Sequence, residues 1–174
     1  MARRPPQTLD PIATFDPIAE AHRQWVAHGW EEAAEGMALV TSVMRVQQIL
    51  LSTVDAVLRP YELTFARFEI LALLDFSRRG SLPLGKIGAR LQVHPTSASS
   101  AVQRLERQEL IIRMSHPTDG RTTLVEITPK GRRVVHRATV DLNTKVFSSL
   151  ALGHDQIAAT YALLTSLRKN SGDM

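Results

Sequence analysis

Along most of this chain apolar residues recur at the three- and four-residue spacing of an amphipathic helix, and in one stretch they adopt the pattern of strands. After a proline-punctuated opening (residues 1–15), the tetrapeptide Asp-Pro-Ile-Ala occurs twice, at 10–13 and 16–19. Asp followed by Pro is a helix-start signal, since the carboxylate accepts from free amides and proline presets φ at the first helical position. The second copy predicts a short helix from Pro17 to His28 that stops at Gly29. From Trp30 to Leu58, Leu39, Val43, Val46, Leu50, Val54 and Val57 make one apolar stripe, and Val40, Met44, Leu51 and Leu58 make a second beside it. Such a helix spans about 40 Å, longer than a small domain is wide, so its two apolar faces predict packing against a second subunit. Pro60 ends it.

Three shorter helices follow. Thr64 is placed to cap a segment carrying Phe65, Phe68, Leu71 and Leu74; Leu84–Leu91 is a second, with Ile87 and Leu91 inward; Pro95 opens a third, whose inner face is Ala98, Ala101, Val102 and Leu105. Two short helices joined by a tight turn, here Gln92-Val93-His94, have the spacing of a helix-turn-helix. The period then changes to that of strands at 110–114 and 123–127, with a turn-rich loop containing Asp119-Gly120 between them, which predicts a β-hairpin. Thr128-Pro129 starts another helix, with Val134, Val135, Ala138, Leu142, Val146 and Leu150 apolar, and Asp155 starts a last one, with Ile157, Tyr161, Leu164 and Leu167. The predicted fold is mainly α with a small β element: a winged helix-turn-helix flanked by helices at both ends.

Composition narrows what such a fold can do. With 174 residues and 44% apolar positions, the chain suits one domain or a domain plus an extension. The absence of cysteine excludes a disulfide scaffold, a thiolate zinc site and a thiol redox switch. No uninterrupted run of 18 apolar residues suggests a membrane span, and Asp10 and Asp16 break what would be the apolar core of a twin-arginine signal after Arg3-Arg4. The expectation is a soluble, cytoplasmic protein. The net charge of +4 is unevenly distributed: residues 1–77 balance at −4 and residues 138–174 at zero, while residues 78–137 carry 12 basic against 4 acidic side chains, a surplus of +8. A surplus confined to the helix-turn-helix and hairpin points to a polyanion such as double-stranded DNA; an arginine-rich solvated surface is the plainer alternative.

The helix from Pro95 bears that out in its residue types. Its outward face carries Thr96, Ser97, Ser99 and Ser100, then Gln103, Arg104 and Arg107. Small hydroxyls near a helix N-terminus allow close approach to phosphates and bases, and the amide and guanidiniums reach further. At the hairpin tip, Asp119-Gly120-Arg121 sets an acid and a base on a tight turn, where the carboxylate can hold the guanidinium outward, toward a minor groove.

These stretches resemble the MarR family of transcriptional regulators. Leu91 to Glu106 resembles that family's recognition-helix region, and His116-Pro-Thr-Asp-Gly-Arg121 followed by Val125-Glu-Ile-Thr-Pro-Lys-Gly131 resembles its wing and the exit into the next helix. The resemblance spans roughly residues 36–170. It implies an obligate homodimer reading a pseudo-palindromic operator, with two recognition helices in successive major grooves, Asp119 and Arg121 as wing residues, and Arg121 in the minor groove. The implied division is a flexible arm (1–15), N-terminal dimerisation helices (16–62), a DNA-binding lobe (63–128) and C-terminal dimerisation helices (129–174), and the implied role is that of a repressor. One departure stands out: the family often has Gly where this chain has Glu109. The family commonly binds small aromatic or acyl effectors between the dimer helices and the DNA-binding lobe, and the corresponding walls here would be Trp30, Met37, Met44, Arg45, Phe68 and Phe76. Without cysteine, thiol-based peroxide sensing is excluded. The six histidines include no pair at three- or four-residue spacing, so no local metal site and no cofactor are expected.

Two other classes fit less well. An enzyme would need a phosphate loop, a Gly-x-Ser-x-Gly or a His-Glu-x-x-His, and the chain has none. A winged helix specialised for protein partners would carry acidic or apolar side chains on the outward helix face, where this one has Ser, Gln and Arg.

Overall fold

A computed structural model of the chain describes residues 15–172 apart from 93, 117 and 118, and leaves the side chains at 95, 116, 119 and 121 undescribed. The first Asp-Pro pair and nearly all of the expected arm thus lie outside the described residues. The helices are α1 (Pro17–Ala27), α2 (Glu31–Leu58), α3 (Phe65–Asp75), α4 (Leu84–Leu91), α5 (Pro95–Arg107), α6 (Pro129–Leu142) and α7 (His154–Asn170), and the strands are β1 (Ser81–Pro83), β2 (Ile111–His116) and β3 (Asp119–Ile127). The fold is that of a winged helix-turn-helix, mostly helical with one small sheet.

The chain divides after Leu51, inside α2, into two compact units. In the first, Asp16 caps α1 as its sequence predicts, accepting from the amides of Ile18 (2.9 Å) and Ala19 (3.3 Å). Gly29 then takes the left-handed φ of +82° that stops the helix. At this corner the Trp30 ring meets Trp25 edge-on, with centroids 5.3 Å apart, and stacks on His28 at 5.7 Å. Residues 31–61 contain an 18-residue window that is apolar enough, by length and composition, to cross a membrane. Arg45, Gln47 and Gln48 interrupt that helix.

The second unit holds the main core. Val54 and Leu58 from the end of α2 join Phe68, Ile70, Leu71, Leu74, Ile87, Val102, Leu105, Ile111, Val125, Val135 and Leu142 in one buried cluster. Burying such side chains contributes about 1.5–3 kcal/mol each before conformational entropy is counted. The antiparallel sheet has the order β1-β3-β2, with Ile111 opposite Ile127 and Arg113 opposite Val125, and an irregularity at Ser115/His116. Strand β1 is an element the apolar pattern did not predict. It is three residues long and contains Pro83, which only an edge strand tolerates, and it pairs Leu82 with Val125.

Three helix ends differ from their sequence reading. Thr64 occupies the capping position of α3 but makes no cap bond; the carboxylate of Asp55 on α2 accepts from the Phe65 amide instead (3.1 Å). The helix expected to run on to Leu150 leaves α geometry after Leu142 for a π-helical turn at Asn143–Phe147. There the hydroxyls of Thr139 and Thr144 donate back to the carbonyls of Val135 and Val140, a competition that bends helices. Glu109, in the turn after α5, adopts φ +59°, the left-handed region that glycine enters without strain.

A cluster of bonds around that turn fixes α5, the sheet and α6 together. Thr128 accepts from the Gly131 amide at the start of α6 (3.0 Å) and donates to the Glu109 carbonyl (2.8 Å). Its own amide donates to the Leu110 carbonyl (3.0 Å). A Cβ on Gly131 would lie 2.1 Å from that carbonyl oxygen and 2.9 Å from Ile127. Farther along α6, Asp75 of α3 accepts from Arg132 (2.6 Å) and pairs with His136 (2.8 Å). Gly131→Ala is therefore expected to cost about 3 kcal/mol, because backbone must yield to admit the methyl; thermal denaturation checks this, and an unchanged Tm would refute the close approach. Glu109→Gly is expected to raise Tm by about 2 °C, since relief of left-handed strain outweighs the exposed Lys130 ion pair and the added freedom of the unfolded chain. A lower Tm would show that the strain at this turn is smaller than those two losses.

Candidate nucleic-acid interface

Helix α5 is presented by the packing of its opposite side. Ala98, Val102 and Leu105 are buried, Ala101 is half-buried, and Thr96, Ser97, Ser99, Ser100, Gln103, Arg104 and Arg107 are exposed. This is the division that the three- and four-residue spacing predicts. Upstream, Gln92 ends α4 in the left-handed region (φ +53°), and His94 caps α5, its Nδ1 accepting from the Thr96 amide at 3.3 Å. Pro95 fills the first helical position, where a missing N–H costs nothing. The free N-terminal amides of α5 and the positive end of its dipole therefore lie at the same end of the helix as the three exposed serines.

The other end of α5 is tied to the wing. Glu106 accepts from Arg113 Nε of β2 at 2.7 Å, and this bond holds the Glu106 carboxyl below its ordinary range and the Arg113 guanidinium above its own. Arg113 is thereby spent on joining helix to hairpin. The backbone of the wing is an antiparallel pair with His116 opposite Asp119, while the side chains of Asp119 and Arg121 lie outside the described set.

The structure brings to α5 two side chains that the sequence reading passed over, Thr64 and Arg67. Together with Thr96, Ser97, Ser100, Ala101 and Arg104 they line a notch of about 360 Å3 between α3 and α5. Arg67 Nε donates to Thr64 Oγ1 (3.3 Å) and its Nη1 to Gln108 Oε1 (3.2 Å). Gln108 is in turn oriented by donating to the Glu62 carbonyl (3.1 Å). Arg67 and Gln108 are 41 positions apart, so no local pattern could have shown the contact.

The residues expected to wall an effector pocket fall in both units. In the first unit Trp30 is 54% and Met44 61% exposed, Arg45 is exposed and Met37 half-buried, accepting from the Thr41 hydroxyl through its sulfur. In the second, Phe68 is a core residue, 7% exposed and stacked on Phe65 at 6.3 Å. Phe76 is 80% exposed and borders a hollow of about 260 Å3 with Ala72, Asp75, Val135, His136, Thr139 and Val140. Among the described residues no group of three His, Asp or Glu side chains could hold a metal ion.

Comparison with known proteins places this arrangement. The MarR family model matches residues 63–123, from the start of α3 into the wing. A MarR family transcriptional regulator from Streptomyces coelicolor is 49% identical in sequence, aligned over 80% of this chain and 97% of its own, with a TM-score of 0.74. CouR, a transcriptional repressor whose structure holds a 23-mer DNA duplex, is 25% identical over 72% of this chain and 89% of its own, with a TM-score of 0.67. Among curated proteins, the regulator MhqR of Bacillus subtilis is 36% identical over 87 residues, which are 47% of this chain and 59% of MhqR. These relatives are transcriptional regulators and not enzymes. The chain belongs to the MarR family of transcriptional regulators.

Proposed function

We propose that the protein is a homodimeric regulator that binds double-stranded DNA, with α5 in the major groove and the β2–β3 wing in the minor groove of a pseudo-palindromic operator. The observation that carries this reading is the outward face of α5: four exposed hydroxyls, then Gln103, Arg104 and Arg107, on a helix whose opposite face is sealed into the core. Family membership and the DNA-bound state of a relative support it. Within the face, Pro95 and the hydroxyls serve close approach at the helix N-terminus, Gln103 reads base edges, and Arg104 and Arg107 reach the backbone. The wing's minor-groove residue in this reading is Arg121, with Asp119 beside it in sequence.

Dimerisation is supported by apolar surface that neither unit buries. In α2, Leu39, Val40 and Met44 are each about 60% exposed; in α7 no residue is buried, and Tyr161 and Leu163 are 67% and 73% exposed. Long helices with such faces are stable when a second copy covers them, and this reading, with α2 facing protein, keeps the protein in the cytoplasm and off the membrane. We assign it as a repressor released by a small aromatic or acyl ligand, for which the exposed Phe76 and its adjoining apolar hollow in the second unit are the supporting feature.

Titration against the DNA upstream of its own gene, at two salt concentrations, tests the reading. Saturable binding is expected, with half-sites about 10 bp apart and an affinity that falls steeply as salt rises. Binding without sequence preference or salt dependence would overturn it. Arg121→Ala is expected to weaken operator binding by about 10- to 100-fold, the worth of one groove contact, while sedimentation still reports twice the 19.3 kDa chain mass. Unchanged affinity would remove the wing from the interface.

A further inference from the structure

We propose that the notch between α3 and α5 is the seat of one DNA-backbone phosphate, clamped between the guanidiniums of Arg67 and Arg104. The inference rests on reading α5 as the DNA-facing helix and extends that interface to α3, which lies outside the helix-turn-helix.

The notch has the chemistry of an oxyanion receptor. Its lining combines two guanidiniums with the hydroxyls of Thr64, Thr96, Ser97 and Ser100, and it has no carboxylate. Neither Arg67 nor Arg104 forms an ion pair among the described residues, whereas Arg113, Lys130 and Arg132 all do. Arg67 is also held in place. Thr64 and Gln108 take its Nε and Nη1, leaving Nη2 without a partner among the described residues. Its rotamer entropy is thus surrendered before any ligand arrives, which is how a rigid fork gains affinity for phosphate.

The charges around the notch point the same way. Burial holds the Arg67 guanidinium below its ordinary range and the nearby Arg104 charge pushes it further down, against weaker opposition from Asp55 and Glu62. Two like charges beside one hollow repel until an anion lies between them, and a phosphate there converts the repulsion into two attractions. The α5 N-terminus contributes its dipole to the same anion. Such a contact carries no base information; it sets the depth and angle at which α5 enters the groove.

The test compares the full-length wild type with Arg67→Gln and Arg67→Lys on one operator duplex across a salt series, with melting temperatures confirming that each variant folds. Losing one phosphate contact per chain, two per dimer, lowers the salt slope by about 1.8, so the affinity gap between wild type and Arg67→Gln should shrink about 12-fold from ~0.05 to ~0.2 M salt. Unrelated DNA should lose affinity in the same proportion, and Arg67→Lys, which keeps the charge, should retain most of the slope. A duplex with a single neutral methylphosphonate at the contacted position should weaken the wild type more than Arg67→Gln, which keeps Arg104 on that phosphate. If the wild type binds with a salt slope and Arg67→Gln keeps that slope, the notch assignment fails and the α5 reading survives; if the wild type shows no salt-dependent binding, both fall. An unchanged slope together with an Arg67-dependent thermal shift in inorganic phosphate, at matched ionic strength, would mark a free-anion site and also overturn the proposal.

Discussion

The carbonyl groups of Glu109 and Leu110 join the three parts that must hold a fixed relation for this fold to meet DNA: α5, the wing and α6. Both belong to the turn leaving α5, and both face Thr128 at the exit of β3. Thr128 in turn caps α6 through the Gly131 amide, so one hydroxyl accepts from α6 and donates to the end of α5. The junction closes only because residue 131 has no Cβ and because Glu109 adopts a left-handed conformation. The Thr-Pro-x-Gly run after the wing thus has a mechanical meaning: a cap, a preset first turn and a backbone contact that excludes any side chain. Lys130 adds a second strap, donating to the Gln108 carbonyl (2.8 Å) and the Glu109 carboxylate (3.0 Å). The direction of α5 is consequently set from its C-terminal end, and its N-terminal half is left clear.

What the sequence revealed follows from which interactions are local. The buried face of α5 was legible because Ala98, Ala101, Val102 and Leu105 obey a helical period, and a single period defines both the inner and the outer face. The hairpin was legible from its β-rich runs and the Asp-Gly turn. Strand β1 was not, because three residues with a proline carry no alternation, and their strand character comes entirely from pairing with Val125 and its neighbours 40 or more positions away. Arg67 was hidden for a related reason: on its own helix it is one polar residue between Phe65 and Phe68, and its partner Gln108 belongs to another element. The cap of α3 misled, since Thr64 stands at the expected position while a carboxylate from α2 does the capping.

The basic surplus of the central segment looks different once its pairings are known. Arg113, Lys130 and Arg132 meet Glu106, Glu109 and Asp75, and each pair spans two elements: α5 to β2, α6 to the turn after α5, and α6 to α3. The two more exposed pairs, at Glu106 and Glu109, are worth little individually, and they occupy a carboxylate of α5 and one of the turn after it. Arg78, Arg79, Lys86, Arg90, Arg104 and Arg107 are exposed and have no ion pair among the described residues. The cations of this segment therefore divide by role, into those that hold elements together and those whose field is directed outward. Arg67 lies outside the basic segment yet belongs with the second group, because the core packing of α3 delivers it to the edge of α5. A charge count along the chain finds a polyanion surface only as far as that surface is contiguous in sequence; the α3 contribution becomes visible when the two helices are packed.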